Sequence, residues 1–100
     1  MKGLPDYAIN LRRLFAWHLL SSQEVAQLLG AAEASVSGWI TGKREPSGKY
    51  LKAIGDLFEV NPSKLFGDTD AFGESIATPD RTKAAEETIA RRRRSRLEVV

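Results

Sequence analysis

SQEVAQLLGAAEASVSGWIT, residues 22–41, reads as two short helices joined by a tight turn. Val25, Ala26 and Leu29 fall on one face of the first helix, and Val36, Trp39 and Ile40 recur at helical spacing on the second. Between them stands Gly30, where a chain that must turn sharply wants a residue tolerant of positive φ. Ala26 is small, which lets the second helix cross close over the first. Apolar residues at 25, 29, 31, 36 and 39, with Ala at 26 and Gly at 30, form one joint pattern. It is the pattern a helix-turn-helix unit requires.

Upstream, Met1 to Pro5 is a short lead-in, and Asp6 suits the N-cap of a helix over Tyr7–Leu19. Tyr7, Leu11, Leu14 and Phe15 face inward at 3–4 spacing, which leaves Arg12 and Arg13 on a solvated face. Trp17 is expected as a partly buried packing residue and His18 as a lone surface histidine. Ser21 and Glu24 make a capping box that starts the next helix at Ser22.

Downstream, the second helix of the unit spans about Glu33–Thr41 and Gly42 terminates it in the left-handed conformation. Ser47 caps a helix over Gly48–Phe58, with Leu51, Ile54, Leu57 and Phe58 inward and Gly55 allowing close packing. Asn61-Pro62 opens a short helix to Phe66, where Leu65 and Phe66 close the core and Gly67 ends the run. Residues 68–78 have little apolar content and read as a linker. Thr78-Pro79-Asp80 starts a last helix to about Leu97, whose apolar stripe is only Ala85, Ile89 and Leu97. A helix that thin needs a partner surface. Glu86-Glu87 precede the arginines at 91–94 and 96, the order the helix dipole prefers.

Composition bounds the possibilities. One hundred residues suffice for one small domain with a modest core. The chain has no cysteine, which excludes a disulfide scaffold and any thiolate metal site, and its one histidine cannot build a zinc site alone. No apolar run reaches membrane-spanning length, and MKGLPDYAIN lacks a signal-peptide core, so a soluble cytoplasmic protein without membrane association is expected. There is no Gly-rich phosphate loop, metal-ligand cluster or Ser/His/Asp set, so catalysis and a cofactor are not expected. Net charge is only +2, and distribution says more than the sum. Residues 1–67 carry eight Lys/Arg against six Asp/Glu, while the tail balances seven against seven but packs five arginines into one block.

Taken in register, residues 7–66 resemble the lambda-repressor-like (Cro/XRE-type) helix-turn-helix family. The matching stretches are Leu11 to Leu14, Ser21 to Gly30, Val36 to Trp39, Gly42 to Pro46, Leu51 to Ile54 and Val60 to Phe66. The resemblance implies an all-α fold. Residues 1–67 would form a five-helix DNA-binding domain, 68–78 a linker, and 79–100 a basic helical tail.

It also implies a prokaryotic transcriptional regulator, repressor or antitoxin-like, that binds double-stranded DNA as a homodimer. The helix over 33–41 would enter the major groove. Its base-facing residues would be Ala32, Glu33, Ala34, Ser37 and Gly38, with Ser35 and Thr41 nearer the backbone. The Ser22 and Gln23 end of the preceding helix would donate to a phosphate, as would Lys43 and Arg44 and, more weakly, Lys49.

Two residues depart from the family pattern. Ala32 replaces the usual Ser or Thr cap, costing about 1 kcal/mol locally, and Gly38 sits inside the reading helix, costing about 1 kcal/mol against Ala. The reading face also lacks the Gln, Asn and Arg that make bidentate base contacts. Two alternatives therefore stand beside direct readout: recognition partly through DNA shape, or a protein-interaction module that keeps the fold without base readout. For the tail, a solvated end, a dimer- or partner-binding helix through residues 79–100, and added phosphate contacts remain open.

Overall fold

Four helix ends set the frame, and each closes by the same kind of backbone bond. The structure is a computed structural model that describes residues 3–98, with side chains through Arg94. The helices are α1 (Asp6–Trp17), α2 (Ser22–Leu29), α3 (Glu33–Ile40), α4 (Gly48–Phe58), a 3-10 helix (Pro62–Phe66), α5 (Thr69–Ile76) and α6 (Pro79–Glu98). No strand occurs among the described residues. After each of α1 to α4 one residue turns left-handed, and the amide beyond it reaches back to a carbonyl five residues earlier. These bonds are Leu20 to Phe15, Ala31 to Ala26, Lys43 to Gly38 and Val60 to Gly55, at 2.9–3.1 Å. Such a Schellman closure satisfies carbonyls that a helix end would otherwise orphan.

Gly30 (φ 68°) and Gly42 (φ 76°) fill the left-handed position after α2 and α3, as the sequence predicts. Leu19 (φ 55°) and Glu59 (φ 56°) fill it after α1 and α4, where no glycine signals the stop. That is why α1 ends at Trp17 and not at Leu19. Its start differs too: Pro5 holds the N-cap position with no side-chain bond, and Asp6 lies inside the first turn. Ser47 likewise precedes α4 without making a cap bond. The capping box of α2 is present in full, each partner donating its amide across 3.1 Å.

The core joins Tyr7, Leu11, Leu14 and Phe15 of α1 with Val25, Val36, Trp39, Ile54, Leu57, Phe58 and Leu65. Leu28 of α2 is buried while Leu29 is only half-buried, a one-residue shift of the apolar face. Phe66 is 42% exposed and packs its ring 5.9 Å from Tyr7, so Leu65 alone closes that end of the core. Asn10 is fully buried, and its Nδ2 donates to the carbonyls of Leu65 (2.7 Å) and Gly67 (3.2 Å), stitching α1 to the 3-10 helix.

Residues 68–78, which read as a linker, contain α5. Asp68 accepts the Ala71 amide at 2.9 Å to start it, and Phe72 and Ile76 are buried one turn apart. It packs on α1, where Arg13 donates to the Thr69 carbonyl at 2.7 Å and comes within 3.8 Å of Asp70. Arg13 is therefore engaged and not simply solvated. Two large apolar residues among the eight of α5 give too little periodicity to announce a helix.

The partner surface that α6 needs is its own chain. Ala85 and Ile89 are buried, and the helix packs along α4 and touches α2. Trp17, 46% exposed, donates its indole N–H to Thr82 at 3.0 Å, and Arg81 donates to the Glu59 carbonyl at 3.0 Å. Arg92 reaches the Leu28 carbonyl at 3.4 Å, and Arg93 pairs with Glu24 at 3.0 Å. Both members of that pair are about half exposed, so solvent screens it and it contributes little. Burying Ile89 contributes more, about 1.5–3 kcal/mol. The radius of gyration, 12.9 Å, is about what a compact chain of this length has, which places α6 against the body and not as a separate arm. The side chains of Arg96 and Leu97 lie outside the described residues. No described helix is long and apolar enough to cross a membrane.

His18 is half-buried and not a free surface histidine. Its ring lies 5.5 Å from that of Phe58, and Nδ1 is buried without a hydrogen-bond partner. Burial holds its pKa below the usual histidine value, opposed by Glu86 of α6.

Candidate nucleic-acid interface

Trp39 anchors α3. It is 2% exposed, packs 5.3 Å from the Tyr50 ring, and with Val36 fixes which side of the helix is covered. At 3.6 residues per turn, positions 34, 37, 38 and 41 then share the opposite, outward side. Ala34, Ser37 and Thr41 are exposed there, with Ala32 and Glu33 exposed at the N-terminal end and Ser35 half-buried at the edge.

Gly38 differs from its neighbours on that side, for it is buried. The cover is Arg44: a Cβ built on Gly38 would lie 2.8 Å from Arg44 Cγ and 3.0 Å from its Cδ. Thr41 turns its hydroxyl back to the Ser37 carbonyl at 2.8 Å and to that of Gly38 at 3.3 Å. The last open carbonyl of α3, on Ile40, accepts from Arg12 Nε at 2.6 Å. A cation at a helix C-terminus also suits the dipole. Arg12 therefore positions α3 from α1. Spacing alone leaves Arg12 on a solvated face, because only the tertiary crossing of α1 and α3 reveals its acceptor.

The turn after α3 is held from a third side. A Cβ on Gly42 would meet Pro5 Cδ at 2.7 Å, so the lead-in segment packs directly on it. Lys43 and Arg44 follow, both exposed. Lys49, farther on, stands 5.4 Å over the ring of Tyr50.

On α2, Gln23 is exposed and Ser22 half-buried in the first turn. Ser21 Oγ takes the Glu24 amide, leaving the Ser22 and Gln23 amides without a protein acceptor among the described residues. The Glu24 carboxyl lies below the usual carboxylate range, held chiefly by the Ser21 amide, with Arg93 adding to it. The structure thus presents one cationic turn, one sparse helix face and one helix N-terminus on the packed pair α2 and α3.

A family profile described as helix-turn-helix matches residues 11–65, from the middle of α1 to the 3-10 helix. The chain belongs to the Cro/XRE-type helix-turn-helix family. Among curated members of this helix-turn-helix class, it is similar to the HTH-type transcriptional regulator AnsR of Bacillus subtilis (strain 168). The two are 36% identical over 62 residues, which are 62% of this chain and 51% of AnsR. The chain thus spans about half the length of the curated relative it matches. No solved structure matches it. Helices α5 and α6 lie outside the residues that the helix-turn-helix profile covers.

Proposed function

We propose that this protein is a DNA-binding transcriptional regulator that reads sequence in the major groove with α3. The observation that carries the reading is the packed α2–α3 pair. Its outward side combines Ala34, Ser37 and Thr41 with the Lys43-Arg44 turn and the Ser22-Gln23 helix end. Phosphates attract amides and cations at the flanks of a groove, while short side chains on the intervening helix approach base edges. In this arrangement Ser22, Gln23 and Lys43 hold the backbone. Ala32, Glu33, Ala34, Ser35, Ser37 and Thr41 face the groove. Glu33 suits a cytosine amine and Ala34 a thymine methyl.

The relative's name, transcriptional regulator, supports the same class. A repressor or antitoxin-like autoregulator acting as a homodimer is the finer form of this proposal, with half-sites about 34 Å apart. The stripe of α6 formed by Ala85 and Ile89 is spent within the chain, so a homodimer or a protein partner of residues 79–100 would use other surface.

Selection of the purified protein against a random duplex pool tests the proposal. An enriched palindrome with half-sites about 10 bp apart is the expected outcome. A folded protein that enriches no sequence would refute it, and would favour an interaction module that has lost readout from its alanine-rich face.

A further inference from the structure

The outward side of α3 carries no donor able to grip a base in two places: Ala34, Ser37 and Thr41 are short, and the Thr41 hydroxyl is bonded to its own helix. At the centre of that side stands Gly38, and over it lies Arg44. A Cβ at residue 38 would sit 2.8 Å from Arg44 Cγ, 3.0 Å from Cδ and 3.1 Å from Nε. The arginine therefore does not project away from its turn. Its stem passes over residue 38 of α3, through a gap that only a residue without a side chain leaves open. The backbone secures the same seat, since the Lys43 and Arg44 amides both donate to the Gly38 carbonyl, at 3.0 and 3.3 Å.

The guanidinium is also uncommitted. Arg12, Arg13, Arg81, Arg92 and Arg93 each donate to a carbonyl or carboxylate of the protein. Arg44 is exposed and its side chain donates to no protein acceptor among the described residues. Phosphates flank a groove, whereas base edges lie opposite the outward side of the helix within it. A guanidinium laid on that side faces bases.

The geometry points to Arg44 as a base-reading residue, delivered from the turn onto α3 over Gly38 to grip O6 and N7 of a guanine. Gly38 is the positioning residue that makes room for it. This rests on the DNA-reading function proposed above. It resolves two oddities together: a glycine that weakens the reading helix, and a reading face without a bidentate donor.

The test uses the full chain. After selection from a random duplex pool, affinities are measured by competition on the selected duplex and on each single-base-pair variant of it, over a range of salt. The proteins are wild type, Arg44→Ala, Arg44→Lys, Gly38→Ala and Lys43→Ala. Arg44→Ala and Arg44→Lys should lose preference at one G·C pair by about 5- to 150-fold, the discrimination of a bidentate contact. Preferences elsewhere should persist. Lysine keeps the charge but lacks the planar fork. Gly38→Ala should lose the same preference while melting no lower than wild type, because alanine is the better helix former. Lys43→Ala should weaken every duplex alike and reduce the salt slope by about one.

The proposal is overturned if Arg44→Ala weakens all duplexes equally with base preference intact, which marks a phosphate contact. It is overturned equally if Arg44→Lys keeps the preference. Wild-type protein that selects no sequence overturns both this inference and the DNA-reading function. Enrichment by wild type with unchanged preference in the Arg44 variants overturns the inference alone. If Gly38→Ala is poorly folded, the exposed Arg44→Lys change still decides the matter.

Discussion

Replacing Asn10 by alanine tests the polar stitch between α1 and the 3-10 helix. The side chain is fully buried, and Nδ2 serves two carbonyls, that of Leu65 inside the core and that of Gly67 nearer its edge. Alanine strands the Leu65 oxygen away from water, at a cost of about 1–3 kcal/mol. The Gly67 oxygen can turn to water, so its loss is small. A cavity the size of an amide adds to the cost, while removal of the unpartnered Asn10 Oδ1 gives part of it back. The net loss is about 2 kcal/mol, or about 8–16 °C in melting temperature for a domain of this size.

Asn10→Asp should be worse at neutral pH, since a carboxylate of the same shape would face two carbonyl oxygens with nothing to donate. Its pKa would be raised in the folded state, so stability should recover as the pH falls and the acid gains a proton to give. Thermal and urea melts of the three proteins at several pH values measure both effects. An Asn10→Ala variant within about 0.5 kcal/mol of wild type, the range of an ordinary surface change, would refute the reasoning. So would an Asp variant no weaker than the Ala one.

Three further outcomes follow from the same structure. Trp39→Ala empties a core position and should cost about 3–5 kcal/mol by chemical denaturation; unchanged stability would mean that α3 does not sit in this register. Leu19→Gly should raise the melting temperature by a few degrees. The left-handed turn costs a leucine about 1–2 kcal/mol, and this leucine, 88% exposed, has little packing to lose. For His18, whose folded pKa lies below 6.5, the unfolded chain binds the proton first. Stability should therefore fall as the pH drops from about 6.5 toward that lower value. His18→Gln should flatten this slope, as followed by melts across the window.

The helix-turn-helix core was legible because its signals are local. A capping box, two glycines at left-handed turns and apolar residues at 3–4 spacing each act within a few positions of themselves. The misses share the opposite character. Leu19 and Glu59 turn left-handed without glycine, so the end of α1 carried no mark. Helix α5 depends on Phe72 and Ile76 meeting α1, and Arg12, Arg13 and His18 acquire their partners only when distant elements pack. At the candidate interface, residues 34, 37 and 41 could be placed outward from periodicity alone. That Arg44 lies over Gly38 could not, because a glycine within a helix signals a cost and does not name what fills the space.

Helix α6 is made after everything it covers. As the nascent chain leaves the ribosome, α2 and α4 emerge well before residues 79–94, and N-terminal parts fold first when they can. During that interval the α4 surface that Ala85 and Ile89 will cover stays open to water, to chaperones and to other chains. A stop or frameshift between α5 and α6 would make this condition permanent. The truncated product would keep its helix-turn-helix while exposing an apolar surface, and its abundance in the cell would be set by proteolysis and aggregation before any question of binding arises.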